Sequence, residues 1–232
     1  MIYVANFIMA TSNKPRKPLF ELIAGNLCLD FVNTLDNRPS GEPKELLKNY
    51  YDLARFGEDA GILTPEQLHD LSERARLMPD EADEAVRRAR DLREALHEIF
   101  SALMNRQTVP QLAMEKLNAN LHDAALHSRL VQPKAVQPKA LESEVLPERH
   151  LVWRFDDPSS SFNAILWPIA RAAADLLASS DVALVRTCSS PACQWFFLDT
   201  SKNHRRRWCD MKVCGNRAKV RKFYARKRQA TE

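Results

Sequence analysis

Four of the five cysteines of this 232-residue chain lie close together near its C-terminus. They are Cys188, Cys193, Cys209 and Cys214, which gives the spacing C-x4-C, 15 intervening residues, and C-x4-C. Two cysteine pairs at this separation are typical of one zinc ion held by four thiolates. Two disulfides are the alternative, and they would need an oxidising compartment. A segment that is this short and this basic cannot bury enough apolar surface to fold without a metal. We therefore predict one structural Zn²⁺ per chain.

Charge is distributed unevenly along the chain. Residues 202–228 carry twelve Lys and Arg and a single acid, a net of +11, while the remainder carries 22 basic and 29 acidic residues, a net of −7. Such a basic module indicates a polyanionic partner, most often nucleic acid. The alternative is a solvated basic tail without a specific partner. With only five glycines, the chain contains neither GxGxxG nor GxxxxGK[ST], which excludes the common nucleotide-binding loops.

The apolar pattern predicts a mostly α protein with a small β element. Residues 1–18 form an irregular lead-in, residues 19–183 a helical N-terminal domain, and residues 184–232 a treble-clef-like zinc finger. No apolar run reaches the roughly 18 residues needed to cross a bilayer, and the opening residues lack the pattern of a secretory signal. We therefore expect a cytoplasmic protein without a membrane partner.

Within the helical part, periodicity and end signals predict several elements. Apolar residues recur at helical spacing from Leu19 to Leu35, and Thr64, Pro65 and Gln67 together predict a capped helix start. Further along the chain, the patterns predict a long helix that opens at Pro79 and a helix over 110–127. The doubled VQPKA of 131–140 predicts a loop or hairpin tip, and a strand is predicted within 145–155. A helix that carries Ile165 to Leu177 is predicted to follow a cap at Ser159.

The zinc module itself predicts a strand before Cys188, a second strand over Trp195–Leu198, and a helix from about 211 to 228. On a helical wheel, Val213, Val220 and Tyr224 share one face, which we expect to pack on the zinc and the aromatics, while the opposite face is basic. The candidate nucleic-acid contacts are Lys202, Arg205, Arg206, Arg207, Lys212, Arg217, Lys219, Lys222 and Arg226.

Other residue types in the module have two interpretations. Asn203 and Asn216 could hydrogen-bond adenine, but capping of backbone groups is the favoured role. The aromatic run Trp195–Phe197 could stack on unpaired bases, but packing beside the zinc is favoured. Cys28 lies in an apolar run and is interpreted as a small core residue.

The run CSSPACQWFFLDTSKNHRRRWCDMKVCGNR, residues 188–217, resembles the CGNR zinc finger, which takes its name from the tetrapeptide Cys214–Arg217 here. The preceding chain resembles the ABATE domain in the segments Leu27–Leu35, Asp59–Thr64 and Pro168–Leu177. The resemblance implies zinc at the four cysteines and a bacterial transcription regulator responsive to stress, whose helical domain senses a signal and whose finger binds DNA.

The helical part also contains a candidate ligand pocket. Asp30, Asn33 and Thr34 fall one helical turn apart, with Arg38 nearby, so a small-molecule ligand could bind among them. The alternative, which is favoured, is that these polar groups bond backbone or each other at a helix end.

Enzymatic activity is not expected. The six histidines form no HExxH and no HxH spacing. His204 lies within the zinc module, as in some treble-clef nucleases, but four thiolates would close the coordination sphere that a nuclease needs open.

Three hypotheses follow: a regulator that binds duplex DNA, a finger that binds RNA, and a protein-interaction module in which zinc is purely structural. Homodimers are common among bacterial regulators, and a homodimer is a further partner to test.

Overall fold

The computed structural model describes residues 18–39, 41–132 and 151–229, with the backbone alone for residues 225–229. Seventeen residues of the predicted lead-in 1–18 lie outside this part of the chain, as does most of the doubled VQPKA.

The described residues form seven α-helices and six short strands. The helices are α1 (Leu27–Val32), α2 (Tyr50–Asp59), α3 (Pro65–Leu77), α4 (Pro79–Met104), α5 (Gln111–Leu126), α6 (Leu166–Leu177) and α7 (Asn216–Gln229). The strands are β1 (Leu35–Asp36), β2 (Lys44–Glu45), β3 (Ser128–Val131), β4 (Val152–Phe155), β5 (Val185–Thr187) and β6 (Phe196–Leu198). They form three antiparallel pairs, β1 with β2, β3 with β4 and β5 with β6. The prediction of a mostly α fold with a small β element is therefore confirmed.

Helices α3 and α4 follow from local signals in the sequence. The Thr64 side chain accepts from the Gln67 amide at 3.2 Å, and Gln67 Oε1 accepts from the Thr64 amide at 2.9 Å, so the predicted capping box is present. Pro79 opens α4, with acidic residues in its first turn, where the helix dipole favours them. The spacing of apolar residues from Ala82 to Leu103 predicts one buried stripe along α4. The stripe is buried from Ala82 to Phe100, but Leu103, at the end of the helix, is 40% exposed.

The prediction of a helix from Leu19 to Leu35 is wrong for most of its length, since α1 has only six residues. Gly25 has a φ of +79°, a left-handed conformation that stops a helix from running through it. The Asn26 side chain then caps α1 by accepting from the Cys28 amide at 3.0 Å. The Ala24 carbonyl, just before this turn, accepts from the Leu198 amide at 2.7 Å, so tertiary pairing replaces helix here.

The chain between α5 and α6 also differs from its prediction. The predicted strand within 145–155 is confirmed over Val152–Phe155, and it pairs with Ser128–Val131, a strand that the sequence pattern did not indicate. Ser159 does not cap α6, because it lies in a 3₁₀ turn, Pro158–Ser160, and five residues separate this turn from the start of α6.

A single hydrophobic core joins the helices to the C-terminal hairpin. The buried side chains of α1, α2 and α4 are in one cluster with those of β6 and with the four clustered cysteines. The β5–β6 hairpin therefore packs as part of the helical body.

Candidate metal centre and nucleic-acid interface

The four clustered cysteines are brought together by the β5–β6 hairpin and the turn that precedes α7. Cys188 follows β5 directly, Cys193 lies just before β6, and Cys214 lies in a π-helical turn, Met211–Gly215. All four are buried, and their sulfur atoms lie within 4.8 Å of one another. The Sγ atoms of Cys193 and Cys209 are 3.6 Å apart, and those of Cys209 and Cys214 are 3.7 Å apart.

These separations fit a zinc ion. Zinc–thiolate bonds of about 2.3 Å in a tetrahedron put neighbouring sulfurs roughly 3.8 Å apart. Hydrogen bonds among the thiols lower the pKa of Cys188 and raise the pKa of Cys193 and Cys209, so the cluster shares protons that a bound metal would displace. One structural zinc, held by four cysteines, is therefore the cofactor of this chain. Within the described residues, no other group of three or more His, Cys, Asp or Glu could hold a metal ion.

Backbone hydrogen bonds fix the two cysteine pairs relative to each other. The Cys188 amide donates to the Trp195 carbonyl at 2.8 Å, which closes the first knuckle across the hairpin. The Ser189 amide donates to the Arg207 carbonyl at 2.8 Å, which ties the first knuckle to the second. The four cysteines thus lie on two chain segments that backbone hydrogen bonds already hold together.

Arg206 and Asp199 organise the basic loop that leads to Cys209. Although burial raises the pKa of Asp199, hydrogen bonds from Ser201 and from the Arg206 amide lower it below its usual range. The Arg206 guanidinium donates to the carbonyls of Trp208 and Cys209 and lies 4.7 Å from the Phe197 ring centroid. Arg206 thus has an internal role, so we leave it out of the proposed contact surface although the sequence pattern included it.

Most of the other candidate nucleic-acid contacts are exposed to solvent. Seven of them are exposed, and none forms an ion pair with an acid in the described part of the chain. These seven, here called the basic surface, are Lys202, Arg205, Arg207, Lys212, Arg217, Lys219 and Lys222. The side chain of the remaining candidate, Arg226, lies outside the described residues.

Helix α7 leaves the metal centre after its first turn. Val213 packs against the core, but Val220 and Tyr224 are 54% and 58% exposed, so the prediction that this face packs on the zinc is wrong beyond Val213. The aromatics that do pack beside the metal centre are Phe196 and Phe197, both buried, as expected. Asn216 Nδ2 donates to the Lys212 carbonyl at 2.9 Å, so the Asn216 side chain bonds the backbone, the role that the sequence favoured.

The contact between the hairpin and the helical body is specific as well as apolar. Asn33 Nδ2 donates to the Phe196 carbonyl at 2.9 Å, and Asn33 Oδ1 accepts from the Phe196 amide at 3.0 Å. Trp195 Nε1 donates to Asp36 Oδ1 at 2.8 Å. The His97 ring stacks on Phe196 with centroids 5.1 Å apart, and burial lowers the pKa of His97 to about 4, so His97 is neutral at neutral pH.

The four residues of the candidate ligand pocket make internal contacts. Both polar atoms of the Asn33 side chain bond the backbone of Phe196. Thr34 Oγ1 donates to the Phe31 carbonyl at 2.7 Å. Asp30 Oδ1 accepts from the Ala24 amide at 2.8 Å, and Arg38 forms an ion pair with Glu94 at 2.7 Å. Ligand binding by these side chains stays a prediction.

Comparison with protein families supplies the identification. A family model described as "Putative stress-induced transcription regulator", ABATE, matches residues 25–180. The CGNR zinc finger family matches residues 185–227. The chain belongs to the ABATE family. A search of curated proteins found no match.

The ABATE domain and the CGNR finger thus meet at the shared core described above. Both families are regulatory or zinc-binding in description, and neither is an enzyme family. His204 Nδ1 contacts the Asp199 carbonyl at 2.8 Å, a structural contact. No helix among the described residues is long and apolar enough to span a membrane.

The sequence did not reveal the contacts that join the two parts. Asn33 and Phe196 are 163 positions apart, and no local pattern relates them. His97 lies on the α4 face that carries the core stripe, but nothing in the sequence indicates the ring against which it stacks. The only available signal is the placement of Asn33 beside an apolar run, which marks a polar group that needs a buried partner.

Asp30 gives a pH-dependent prediction for this junction. Burial raises the pKa of Asp30 from 3.8 to about 6, so the folded protein binds its proton more tightly than the unfolded chain does. Stability is therefore lost as the pH rises from about 4 to about 6. The variant Asp30→Asn keeps the acceptor for the Ala24 amide and removes the charge. Between pH 5 and 7.5 the variant should gain up to about 1 kcal/mol of unfolding free energy relative to wild type. Urea unfolding in excess zinc at pH 5 and pH 7.5 measures the difference in unfolding free energy between the variant and wild type. A difference that is the same at both pH values would contradict the prediction.

Proposed function

We propose that this chain is a transcription regulator whose CGNR finger binds duplex DNA. The observation that carries the proposal is the basic surface, seven exposed cations without acidic partners on and beside a zinc-fixed finger. Phosphates neutralise such cations and release counterions, which drives binding without any sequence requirement. If about five phosphates are contacted, the slope of log affinity against log salt is near −4.5.

Two features favour duplex DNA over RNA. Helix α7 has 14 residues and is about 21 Å long, and an α-helix fits the major groove of B-DNA but not the deep, narrow major groove of A-form RNA. Phe196 and Phe197 are 4% and 0% exposed and offer no platform for unpaired bases, and the exposed aromatics Phe223 and Tyr224 lie on α7 itself.

The test compares a double variant of the basic surface with a matched control. Arg205→Ala with Arg207→Ala should lower affinity for a fluorescent 24-base-pair duplex by about tenfold to a hundredfold and make the salt slope shallower by about two. The control is Arg76→Ala with Arg87→Ala, two exposed arginines of the ABATE domain that already pair with Glu73 and Glu84. Fluorescence anisotropy over a salt series measures both.

Two outcomes would overturn this proposal. Unchanged binding in the double variant would favour a protein-interaction module with a purely structural zinc. Tight binding to a structured RNA hairpin with weak binding to the duplex would favour the RNA-binding alternative.

The ABATE domain is proposed to sense a small ligand. A cavity of about 460 Å³ between the two parts supports this, because its size is typical of small-molecule sites. The cavity borders the metal centre, since Cys193, Cys209 and Cys214 also line it. Asp36, Lys44 and Leu46 line it from the ABATE domain, and Val213 and Arg217 line it from the finger. A ligand there would contact Arg217, a member of the basic surface, so ligand binding and DNA binding would be coupled.

Three further parts of the proposal concern the cellular context. A chromosome-binding regulator acts in the cytoplasm of a bacterium, and we propose that location. We propose no catalytic activity. A homodimer would match a palindromic DNA site, and analytical ultracentrifugation with and without the duplex tests it.

A further inference from the structure

The described part of α7 beyond the metal centre carries an apolar stripe that no part of the chain covers among the described residues. Val220, Phe223 and Tyr224 are 54%, 64% and 58% exposed. Phe223 and Tyr224 contact each other edge to face with ring centroids 5.6 Å apart. Contiguous exposed apolar side chains are uncommon on the surface of a monomeric globular protein, and three within five residues indicate an interaction site.

The three side chains point in one direction. They occupy helix positions i, i+3 and i+4, so they form a single stripe about 100° wide. Arg217 and Arg221 border the stripe on one side and Lys219 borders it on the other. Lys222 lies on the opposite face of the helix. An apolar stripe thus has cations on both of its sides.

The charge around the stripe restricts what can cover it. The described stretch from Asn216 to Tyr224 contains four cations and no acid, so a second copy of the same helix would bring like charges together. Duplex DNA matches both features. Its phosphates lie on either side of the major groove and complement the bordering cations, and the groove floor presents apolar thymine methyl groups between the hydrogen-bonding edges.

We propose that Val220, Phe223 and Tyr224 contact base edges in the major groove and select thymine-containing sites, while the surrounding cations supply affinity. This inference rests on the proposed DNA binding and assigns the sequence preference to a different set of side chains. Cations that contact phosphates bind most sequences alike, whereas apolar contacts to thymine methyl groups do not.

The test uses the full-length, zinc-loaded protein. Bound fragments are first selected from random duplex DNA, and the selected site is then compared with a scrambled duplex and with a duplex that carries uracil in place of thymine. Uracil lacks only the methyl group. Wild type should prefer the selected site over the uracil duplex by about fivefold to tenfold. Phe223→Ala should lose most of that preference and keep both the affinity for the scrambled duplex and the salt slope.

The controls separate this inference from the function on which it rests. All three side chains are exposed, so their truncation leaves the fold intact, and Leu112→Ala truncates an equally exposed leucine (64%) of the ABATE domain. If wild type binds no duplex, the proposed function fails and the inference falls with it. If wild type binds but Phe223→Ala keeps the preference, or the selected site contains no thymine, only the inference is overturned.

Two other occupants are measured in the same variants. If Phe223→Ala with Tyr224→Ala loses binding to vesicles of phosphatidylglycerol but keeps the DNA preference, the stripe contacts lipid. If the double variant changes the sedimentation coefficient of the DNA-free protein, the stripe joins two copies of the chain. Either result would overturn base contact.

Discussion

Removing the zinc ion is expected to unfold the CGNR finger and to lower the stability of the ABATE domain as well. Structural zinc contributes on the order of 10 kcal/mol in small metal-dependent domains, more than such a segment gains from its own core. Phe196 and Phe197 belong to the core that the ABATE domain shares, and losing a buried phenylalanine costs about 3–5 kcal/mol. The melting temperature of the α-helical signal should therefore fall by about 10 °C or more.

The experiment strips zinc from the folded protein with a chelator in the presence of a reductant and follows melting by circular dichroism. Cys209→Ser should give the same loss without a chelator. Cys28→Ala is the matched control, since Cys28 is fully buried but lies outside the metal centre, and this variant should retain one zinc by native mass spectrometry. A stripped protein with an unchanged melting temperature would show that the finger contributes nothing to the ABATE core.

Replacing Asn33 by alanine is expected to cost about 2–4 kcal/mol of unfolding free energy. Asn33 is 5% exposed, and its amide serves both the N–H and the C=O of Phe196. The variant leaves two backbone groups buried without partners, and each such group costs about 1–3 kcal/mol. Urea unfolding with saturating zinc measures the change.

The control for Asn33, which follows α1, is the asparagine at the other end of the same helix. Asn26 caps α1 through the Cys28 amide, and Asn26→Ala should cost only about 1 kcal/mol, the usual value for an N-cap. If Asn33→Ala costs no more than Asn26→Ala, the Asn33–Phe196 contact is not what holds the hairpin to the ABATE domain.

Features set by neighbouring residues were predictable from the sequence. The cysteine spacing gave the zinc ligands, because a C-x4-C knuckle is a local structure that the metal completes. The capping box at Thr64 and the opening of α4 at Pro79 also depend on residues within one turn. Periodicity predicted the buried stripe of α4 for the same reason.

Features set by distant residues were not predictable. The apolar spacing from Leu19 to Leu35 is present in the sequence, but Gly25 and the bond from Leu198 to Ala24 limit the helix to Leu27–Val32. A helical wheel correctly grouped Val220 with Tyr224, but it could not tell that no element covers them. A pattern identifies the side chains that share a face, and only the tertiary fold decides what that face contacts.

We infer that zinc anchors a hairpin that is built into the ABATE core. Hydrogen exchange measured by mass spectrometry on zinc-loaded and zinc-stripped protein tests it most directly. We expect that stripping zinc removes protection from β5 and β6 and also from α1 and the C-terminal half of α4, which contact β6. Loss of protection confined to residues 185–224, with α1 and α4 unchanged, would contradict it.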